Sequence, residues 1–144
     1  MAKTGQQVVK LVACRRTPGP TPEQLAESGS ELAHQTALFA WAALERSRIP
    51  ELRLLFAVFN EGFRSMRLGD QLKAAGLRSG VPDVFLPVPR HGMHGLWLEL
   101  KVTGNRTTAA QDMWHRDLIA QGYAVRVVYG FVEARDVLIE YLQP

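Results

Sequence analysis

Cysteine is almost absent from this chain of 144 residues, and long apolar runs are absent altogether. The single cysteine, Cys14, excludes an intramolecular disulfide, which favours a reducing, cytoplasmic setting. One cysteine and four scattered histidines also make a structural zinc site hard to build. The N-terminal run VVKLVAC is interrupted by Lys10 and followed by Arg15 and Arg16, so it predicts neither a signal peptide nor a membrane span.

Acidic residues are also few: 14, against 17 Lys and Arg, which gives a formal net charge of +3. The basic residues cluster in three places, namely 3–16, the segment with Arg64, Arg67, Lys73 and Arg78, and the surroundings of Arg90. Such clusters indicate either a polyanionic partner or a solvated basic surface, and charge alone does not choose between them. The 47% hydrophobic and 22% charged residues are typical of one globular domain.

Apolar periodicity predicts an α/β fold with a mixed central sheet and helices on both faces. Residues 1–28, which include TPGPTPEQ, are expected to form an irregular basic arm, and residues 29–144 the folded domain. The predicted elements are a helix at Glu31–Arg46, a buried strand at 52–60, a connection at 61–80 with a short helix at Asp70–Ala75, strands at Asp83–Val88 and Gly95–Lys101, a helix at Ala109–Ala120, a strand at 123–129 and a helix at 131–142. The last strand–helix–strand crossover should pair its two strands in parallel.

Polar residues lie at the ends of two strands that are otherwise apolar. Glu99 and Lys101 alternate with leucines, so both point to the same face of their strand. Antiparallel pairing would bring Asp83 alongside them. Two adjacent carboxylates repel each other and favour a cation between them, and Mg²⁺ is commonly held by one or two carboxylates. A lysine beside that metal can orient or deprotonate a water, or stabilise charge on a phosphate. The alternative is a surface ion pair at a strand end.

The pattern Pro82-Asp83 followed by Glu99-Leu100-Lys101 is the PD-(D/E)xK signature of a large nuclease superfamily. Over about residues 31–142 the chain resembles the VRR-NUC (virus-type replication–repair nuclease) branch, most specifically between Gly76 and Lys101. The matching features are Glu31, Gln35 and Trp41, the run Asn60-Glu61-Gly62 with Arg64, the runs GLRSGVPD (76–83) and GLWLELK (95–101), Gln111, and Gly122-Tyr123. The length resembles that of the stand-alone phage and bacterial members.

The resemblance implies a restriction-endonuclease-like core and a Mg²⁺ or Mn²⁺ site. It assigns Asp83, Glu99 and the Leu100 carbonyl to the metal, makes Lys101 catalytic, and adds Glu31 and Gln111 as accessory residues. Local patterns give two of these an alternative role. Ser28 with Glu31, and Thr108 with Gln111, each fit a capping box at a helix start.

The resemblance also implies DNA as the substrate. Arg64, Arg67, Lys73 and Arg78 lie in the connection that leads to Asp83, where they would contact DNA unless they form a solvated loop. His34, His91 and His94 lack ligand spacing, and Phe39, Trp41, Trp114 and Tyr141 have the spacing of core residues.

The sequence therefore predicts a metal-dependent endonuclease in the cytoplasm, and the family resemblance implies that the cell is bacterial or phage-infected. Its family resemblance implies a homodimer that acts on branched DNA such as a four-way (Holliday) junction. A restriction-like or flap nuclease, and a non-catalytic DNA-binding protein with the same fold, are the alternatives. The apolar residues Phe56, Val58, Phe63 and Met66 flank the long connection and are candidates for a dimer contact, while core packing explains some of them.

Overall fold

The computed structural model describes residues 19–59 and 66–144 of the chain. Its elements are α1 (Pro22–Ala26), α2 (Glu31–Glu45), a 3₁₀ helix (Pro50–Leu54), β1 (Phe56–Ala57), α3 (Met66–Ala74), β2 (Val84–Leu86), β3 (Leu96–Lys101), α4 (Ala109–Ala120), β4 (Ala124–Tyr129) and α5 (Gly130–Leu142). Within these residues no helix has the length and apolar character needed to cross a membrane.

The four strands form one mixed sheet in the order β1-β2-β3-β4. The pairs β1–β2 and β2–β3 are antiparallel, whereas β3 and β4 are parallel and are joined through α4. The predicted α/β class, the mixed sheet and the parallel crossover are therefore confirmed. The predicted bounds of α4 are also those of the structure.

The core lies on the sheet face that α2 and α5 cover. Leu96, Leu98 and Leu100 of β3 are almost fully buried there, together with Leu38 of α2 and Leu138 of α5. The intervening β3 residues point to the opposite face, along which α4 packs against β4. Period-two alternation thus separates an apolar face from a face that carries charged residues.

The predicted strand at 52–60 is wrong over most of its length. Its first half is a 3₁₀ turn that begins at Pro50, because Leu52 and Leu55, three residues apart, are both buried on one side. Only Phe56 and Ala57 pair with β2, and Phe56 is 46% exposed at the sheet edge. The ladder is short because β2 ends before Pro87, which has no amide hydrogen to donate.

The N-terminal arm is not irregular throughout. Residues 22–26 form α1, with Thr21 as N-cap, Pro22 in the first turn and the Gln24 side chain accepting from the Thr21 amide. Leu25 and Ala26 pack against the core, so the folded unit includes this part of the expected arm. Residues 1–18 lie outside the described part of the chain. The short helix of the connection, α3, begins at Met66, earlier than predicted.

Candidate active site

Asp83 and Glu99 face each other at one end of the antiparallel pair β2–β3. Val84 pairs with Leu98, which places Asp83, one residue before β2, beside Glu99. Asp83 Oδ2 accepts a hydrogen bond from the Leu100 amide at 2.8 Å, and the Asp83 carbonyl accepts one from the Val58 amide at 2.7 Å. The Asp83 carboxylate is therefore fixed against β3 by its own strand end.

Lys101 lies on the same face as Glu99 and pairs with it. Its Nζ donates to Glu99 Oε1 at 2.7 Å, and the two side chains are nearly inaccessible, with Glu99 0% and Lys101 7% exposed. The interpretation of Glu99 and Lys101 as a surface ion pair is therefore wrong. A buried ion pair is weak evidence for stabilisation, because desolvation offsets much of the attraction.

The electrostatics of the three residues follow from burial and proximity. Desolvation, and then repulsion by Glu99, raise the pKa of Asp83 to about 6. Desolvation likewise raises the pKa of Glu99, although its hydrogen bond to Lys101 acts in the opposite sense. Burial alone would lower the pKa of Lys101, but the hydrogen bond and charge of Glu99 outweigh it, so the net shift is upward. Lys101 is thus a buried cation between carboxylates.

Gln111 takes part in the cap of α4 and also contacts the buried carboxylate of Glu99. Thr108 caps α4, and the Gln111 side-chain oxygen accepts from the Thr108 amide at 2.8 Å, which completes the predicted capping box. The Gln111 amide nitrogen also donates to Glu99 Oε1. The cap therefore orients Gln111 so that its donor reaches the buried carboxylate.

Glu31 is also directed toward the site, but not through the predicted cap. Ser30, not Ser28, is the N-cap of α2, and its hydroxyl accepts from the Ala33 amide at 3.1 Å. Glu31 Oε1 accepts from Asn105 Nδ2 at 3.2 Å and lies 3.9 Å from Lys101 Nζ. The predicted capping box is wrong because the helix starts at Glu31 itself, which leaves this carboxylate free to face Lys101.

A pocket of about 190 Å³ opens beside these residues. Its walls are Glu31, Leu32, Gln35, Val58, Phe59, Gly80, Val81, Asp83, Leu100, Lys101 and Gln111. The five sequence-predicted residues Glu31, Asp83, Leu100, Lys101 and Gln111 thus share one cavity, and Glu99 is buried against two of them. A larger cavity of about 320 Å³, beside α5, contains none of these residues.

His115 was not predicted as part of the site, although it contacts Glu99. Its Nε2 lies 3.7 Å from Glu99 Oε2, and its side chain is 12% exposed. Burial lowers the pKa of His115, which favours the neutral ring. The available signal was its position four residues after Gln111 in the same helix, since residues at that spacing share a face.

The predicted DNA-contacting residues are only partly described. Arg64 and the side chain of Arg67 lie outside the described residues, as do the matching residues 60–62 and Phe63. Lys73 and Arg78 are exposed, and Arg78 Nη1 donates to the carbonyls of Lys73 and Leu77 at 3.3 Å. That bonding keeps the Arg78 guanidinium against its own loop.

The predicted packing roles of the other polar and aromatic residues vary. His34 Nδ1 accepts from the Phe131 amide at 3.2 Å, and His91 lies 3.2 Å from the Tyr141 carbonyl, so both join elements of the fold. His94 is exposed. Trp114 is half-buried and donates from its indole to the Ser79 carbonyl at 3.1 Å, which ties α4 to the loop before Asp83.

The donor set fits a hard divalent cation. Across residues 19–59 and 66–144 no three His, Cys, Asp or Glu side chains form a ready-made metal cluster. Mg²⁺ needs only one or two carboxylates, because it retains several waters. Asp83 and Glu99 supply two, and Glu99 Oε2 is buried without a hydrogen-bond partner, which leaves an acceptor open. Burial and then repulsion by Glu99 raise the pKa of Asp83, and a cation there would offset the repulsion.

Comparison with known proteins agrees with this geometry. A solved structure of a "VRR_NUC domain protein" superposes with a TM-score of 0.66 over 78% of this chain and 88% of that chain, at 24% sequence identity, which shows the shared fold. No curated protein matches the chain. The family model of the VRR-NUC domain matches residues 6–132. That match spans most of the sequence, so the chain belongs to the VRR-NUC family of nucleases.

Proposed function

We propose that the protein is a Mg²⁺- or Mn²⁺-dependent endodeoxyribonuclease that hydrolyses phosphodiester bonds. The observation that carries this proposal is the buried Glu99–Lys101 pair, which faces Asp83 across two strand ends and opens onto a pocket. Asp83, Glu99 and the Leu100 carbonyl would hold the metal. When bound, the metal would activate water and stabilise negative charge on the phosphate.

The chain's own residues contribute binding and charge. Contact with Glu99 outweighs burial and raises the pKa of Lys101, which favours its charged form, so Lys101 is suited to stabilise charge on the phosphate rather than to accept a proton. Gln111 holds the Glu99 carboxylate in place, and Glu31 completes the negative surroundings of Lys101. The free amides in the first turn of α4 offer further donors to a phosphate.

The first experiment separates an enzyme from a non-catalytic DNA-binding protein. Asp83→Asn and Glu99→Gln each remove one negative ligand and keep the side-chain volume. We expect both to lower Mg²⁺-dependent plasmid nicking by at least about a hundredfold, a loss of roughly 3 kcal/mol in transition-state stabilisation. DNA binding should remain, and EDTA should abolish nicking by the wild type. Near-normal nicking by either variant would contradict the metal assignment.

Branched DNA is the proposed substrate, with a four-way junction as the leading candidate and a flap or linear duplex as alternatives. Arg64, Arg67, Lys73 and Arg78 would contact the phosphates near the cut. Each phosphate neutralised on duplex DNA should contribute about −0.9 to the slope of log affinity against log salt. Cleavage rates on a junction, a flap, a fork and a linear duplex of equal length decide among the substrates.

A homodimer in the cytoplasm is proposed as the acting form. The described part of one chain presents one such site, whereas a symmetric junction requires two cuts. The exposed Phe56 and half-buried Val58 lie at the sheet edge near the site, while Phe63 and the side chain of Met66 fall outside the described residues.

A further inference from the structure

His115 and Gln111 lie on the face of α4 that is turned toward Glu99. The Gln111 amide donates to Glu99 Oε1, and His115 Nε2 lies 3.7 Å from the other oxygen, Oε2. Both Glu99 Oε2 and His115 Nε2 are buried, and neither has a hydrogen-bond partner among the described residues. Two unpartnered polar atoms that face each other inside a protein are costly unless they pair with each other or with a ligand.

We propose that His115 is a positioning residue for the metal site: its Nε2–H and the Gln111 amide hold the two oxygens of Glu99. This inference rests on the proposed function and names the residue that orients one of its metal ligands. The two atoms are 3.7 Å apart, against roughly 2.9 Å for an N–H···O hydrogen bond. A small rotation of either side chain would close this gap and form the hydrogen bond.

The acceptor capacity of Glu99 supports this arrangement. A carboxylate has about four lone-pair positions. Oε1 accepts from Lys101 and from Gln111, which uses two of them. A bond from His115 would use a third, on Oε2, and would leave one position on Oε2 for a cation. The pair of donors from one helix would thus fix the carboxylate without blocking it.

The tautomer of His115 follows directly from this proposal. A neutral imidazole has a hydrogen on only one of its two nitrogens. Only the Nε2–H tautomer can donate to Glu99 Oε2, whereas the Nδ1–H tautomer would turn a lone pair toward it. Long-range ¹H–¹⁵N correlation on the wild-type protein, with the His115 signals assigned by substitution, distinguishes the two. An Nδ1–H tautomer would overturn the proposal.

Metal affinity gives a second readout, independent of cleavage. Loss of a residue that orients a ligand typically costs about 10–100-fold in metal affinity. We expect His115→Leu to weaken Mn²⁺ binding by at least about tenfold in calorimetric titration of the full chain without DNA. His115→Gln, whose amide nitrogen can occupy the place of Nε2, should remain within about threefold of the wild type. His94→Leu, the same change at an exposed histidine, is the control and should have no effect.

The possible outcomes distinguish failure of the His115 proposal from failure of the proposed metal site. Wild-type Mn²⁺ affinity in His115→Leu, while Asp83→Asn still prevents binding, overturns the role of His115 and leaves the proposed function standing. Equal losses in His115→Leu and His115→Gln mean that the ring acts through its shape, which also overturns the proposal. A wild-type chain that binds no Mn²⁺ overturns the proposed function as well.

Discussion

Asp83 is held where its carboxylate is costly to ionise. Burial and the neighbouring Glu99 raise its pKa from 3.8 to about 6. Between these values the folded state without metal binds more protons than the unfolded chain, so the free energy of unfolding falls as the pH rises through this window. Burial lowers the pKa of His115, so this residue makes the free energy of unfolding rise, not fall, as the pH rises through its own titration range. The contribution of Asp83 to the pH dependence of stability is therefore best measured as the difference between the wild type and a variant that lacks this carboxylate.

Asp83→Asn should stabilise the metal-free protein at pH 7. The amide oxygen can still accept from the Leu100 amide, while the buried charge is gone. We expect a gain on the order of 1–3 kcal/mol, or several degrees in melting temperature. The gain should fall to about half a kcal/mol at pH 4, where Asp83 is protonated in the folded state and partly protonated in the unfolded chain. Thermal melts with EDTA at pH 4 and 7 measure it, with the exposed Asp117→Asn as control. If the variant is less stable than the wild type at pH 7, the buried charge of Asp83 does not destabilise the metal-free protein.

Lys101→Met should have the opposite effect on stability. It removes the charge that neutralises Glu99 and leaves a buried, unpaired carboxylate, which typically costs about 3–5 kcal/mol. The double variant Glu99→Gln/Lys101→Met removes both charges and should recover most of that loss. Urea unfolding at pH 7 provides the comparison. We also expect Lys101→Met to lose cleavage but to retain Mn²⁺ binding. If the single and double variants are equally unstable, packing rather than charge explains the loss.

The three charged site residues could be predicted because each depends on strand geometry alone. Alternation puts Glu99 and Lys101 on one face, and antiparallel pairing brings Asp83 to the same end. His115 could not be placed in this way. Its contact with Glu99 depends on how α4 is rotated about its axis against the sheet, and that rotation is set by tertiary packing. The spacing from Gln111 predicts that the two residues share a face of the helix, but it does not predict that this face contacts Glu99.

At the scale of elements, a close packing between a loop and a helix sets the position of Asp83. Gly80 has a φ of +86°, and a Cβ there would lie 2.7 Å from the Ala110 backbone carbon. Trp114 donates to the Ser79 carbonyl at 3.1 Å and ties the same loop to α4. The loop that leads to Asp83 and the helix that carries Gln111 are thus packed backbone against backbone.

Gly80→Ala tests this packing against a matched glycine. Gly76 also has a positive φ, +107°, but a Cβ there meets nothing within 4 Å. Both substitutions carry the left-handed backbone penalty of about 1–2 kcal/mol, and only Gly80→Ala adds overpacking of about 1–3 kcal/mol. We expect Gly80→Ala to be the less stable variant in urea unfolding and to bind Mn²⁺ more weakly. Equal effects of the two would show that the contact with Ala110 is unimportant for the site.

The elements also show where a pattern of apolar residues is ambiguous. The run LRLLFAVF (52–59) is equally compatible with a strand and with a turn of helix. Only two of its residues form a strand, because their partner β2, far away in sequence, is short. α1 was predictable from Thr21-Pro22-Glu23-Gln24, a capping box with proline at the first helical position.

At the scale of the whole molecule, the number of sites determines what the nuclease can do to a symmetric substrate. Residues 19–59 and 66–144 hold one candidate active site, so one chain is expected to cut one strand in one encounter. A four-way junction has two-fold symmetry, and a two-fold dimer would present two matched sites to it. We therefore predict a sedimenting species of twice the 16.1 kDa of one chain at micromolar concentration, and paired nicks on opposite strands of a junction.

The sheet edge at β1 is the surface where this dimer can be tested. Leu54 is 53% exposed and Phe56, two residues later, is 46% exposed, and large exposed apolar side chains are candidates for an interface. Leu54→Glu should shift the species to a monomer and convert paired nicks into single ones, because a charge in an apolar contact is costly. Ile119→Glu makes the same change at a 57%-exposed position on α4 and should leave the dimer intact. A wild-type chain that sediments as a monomer, or that nicks one strand of a symmetric junction, would exclude paired junction cleavage and leave single-strand nuclease activity as the function.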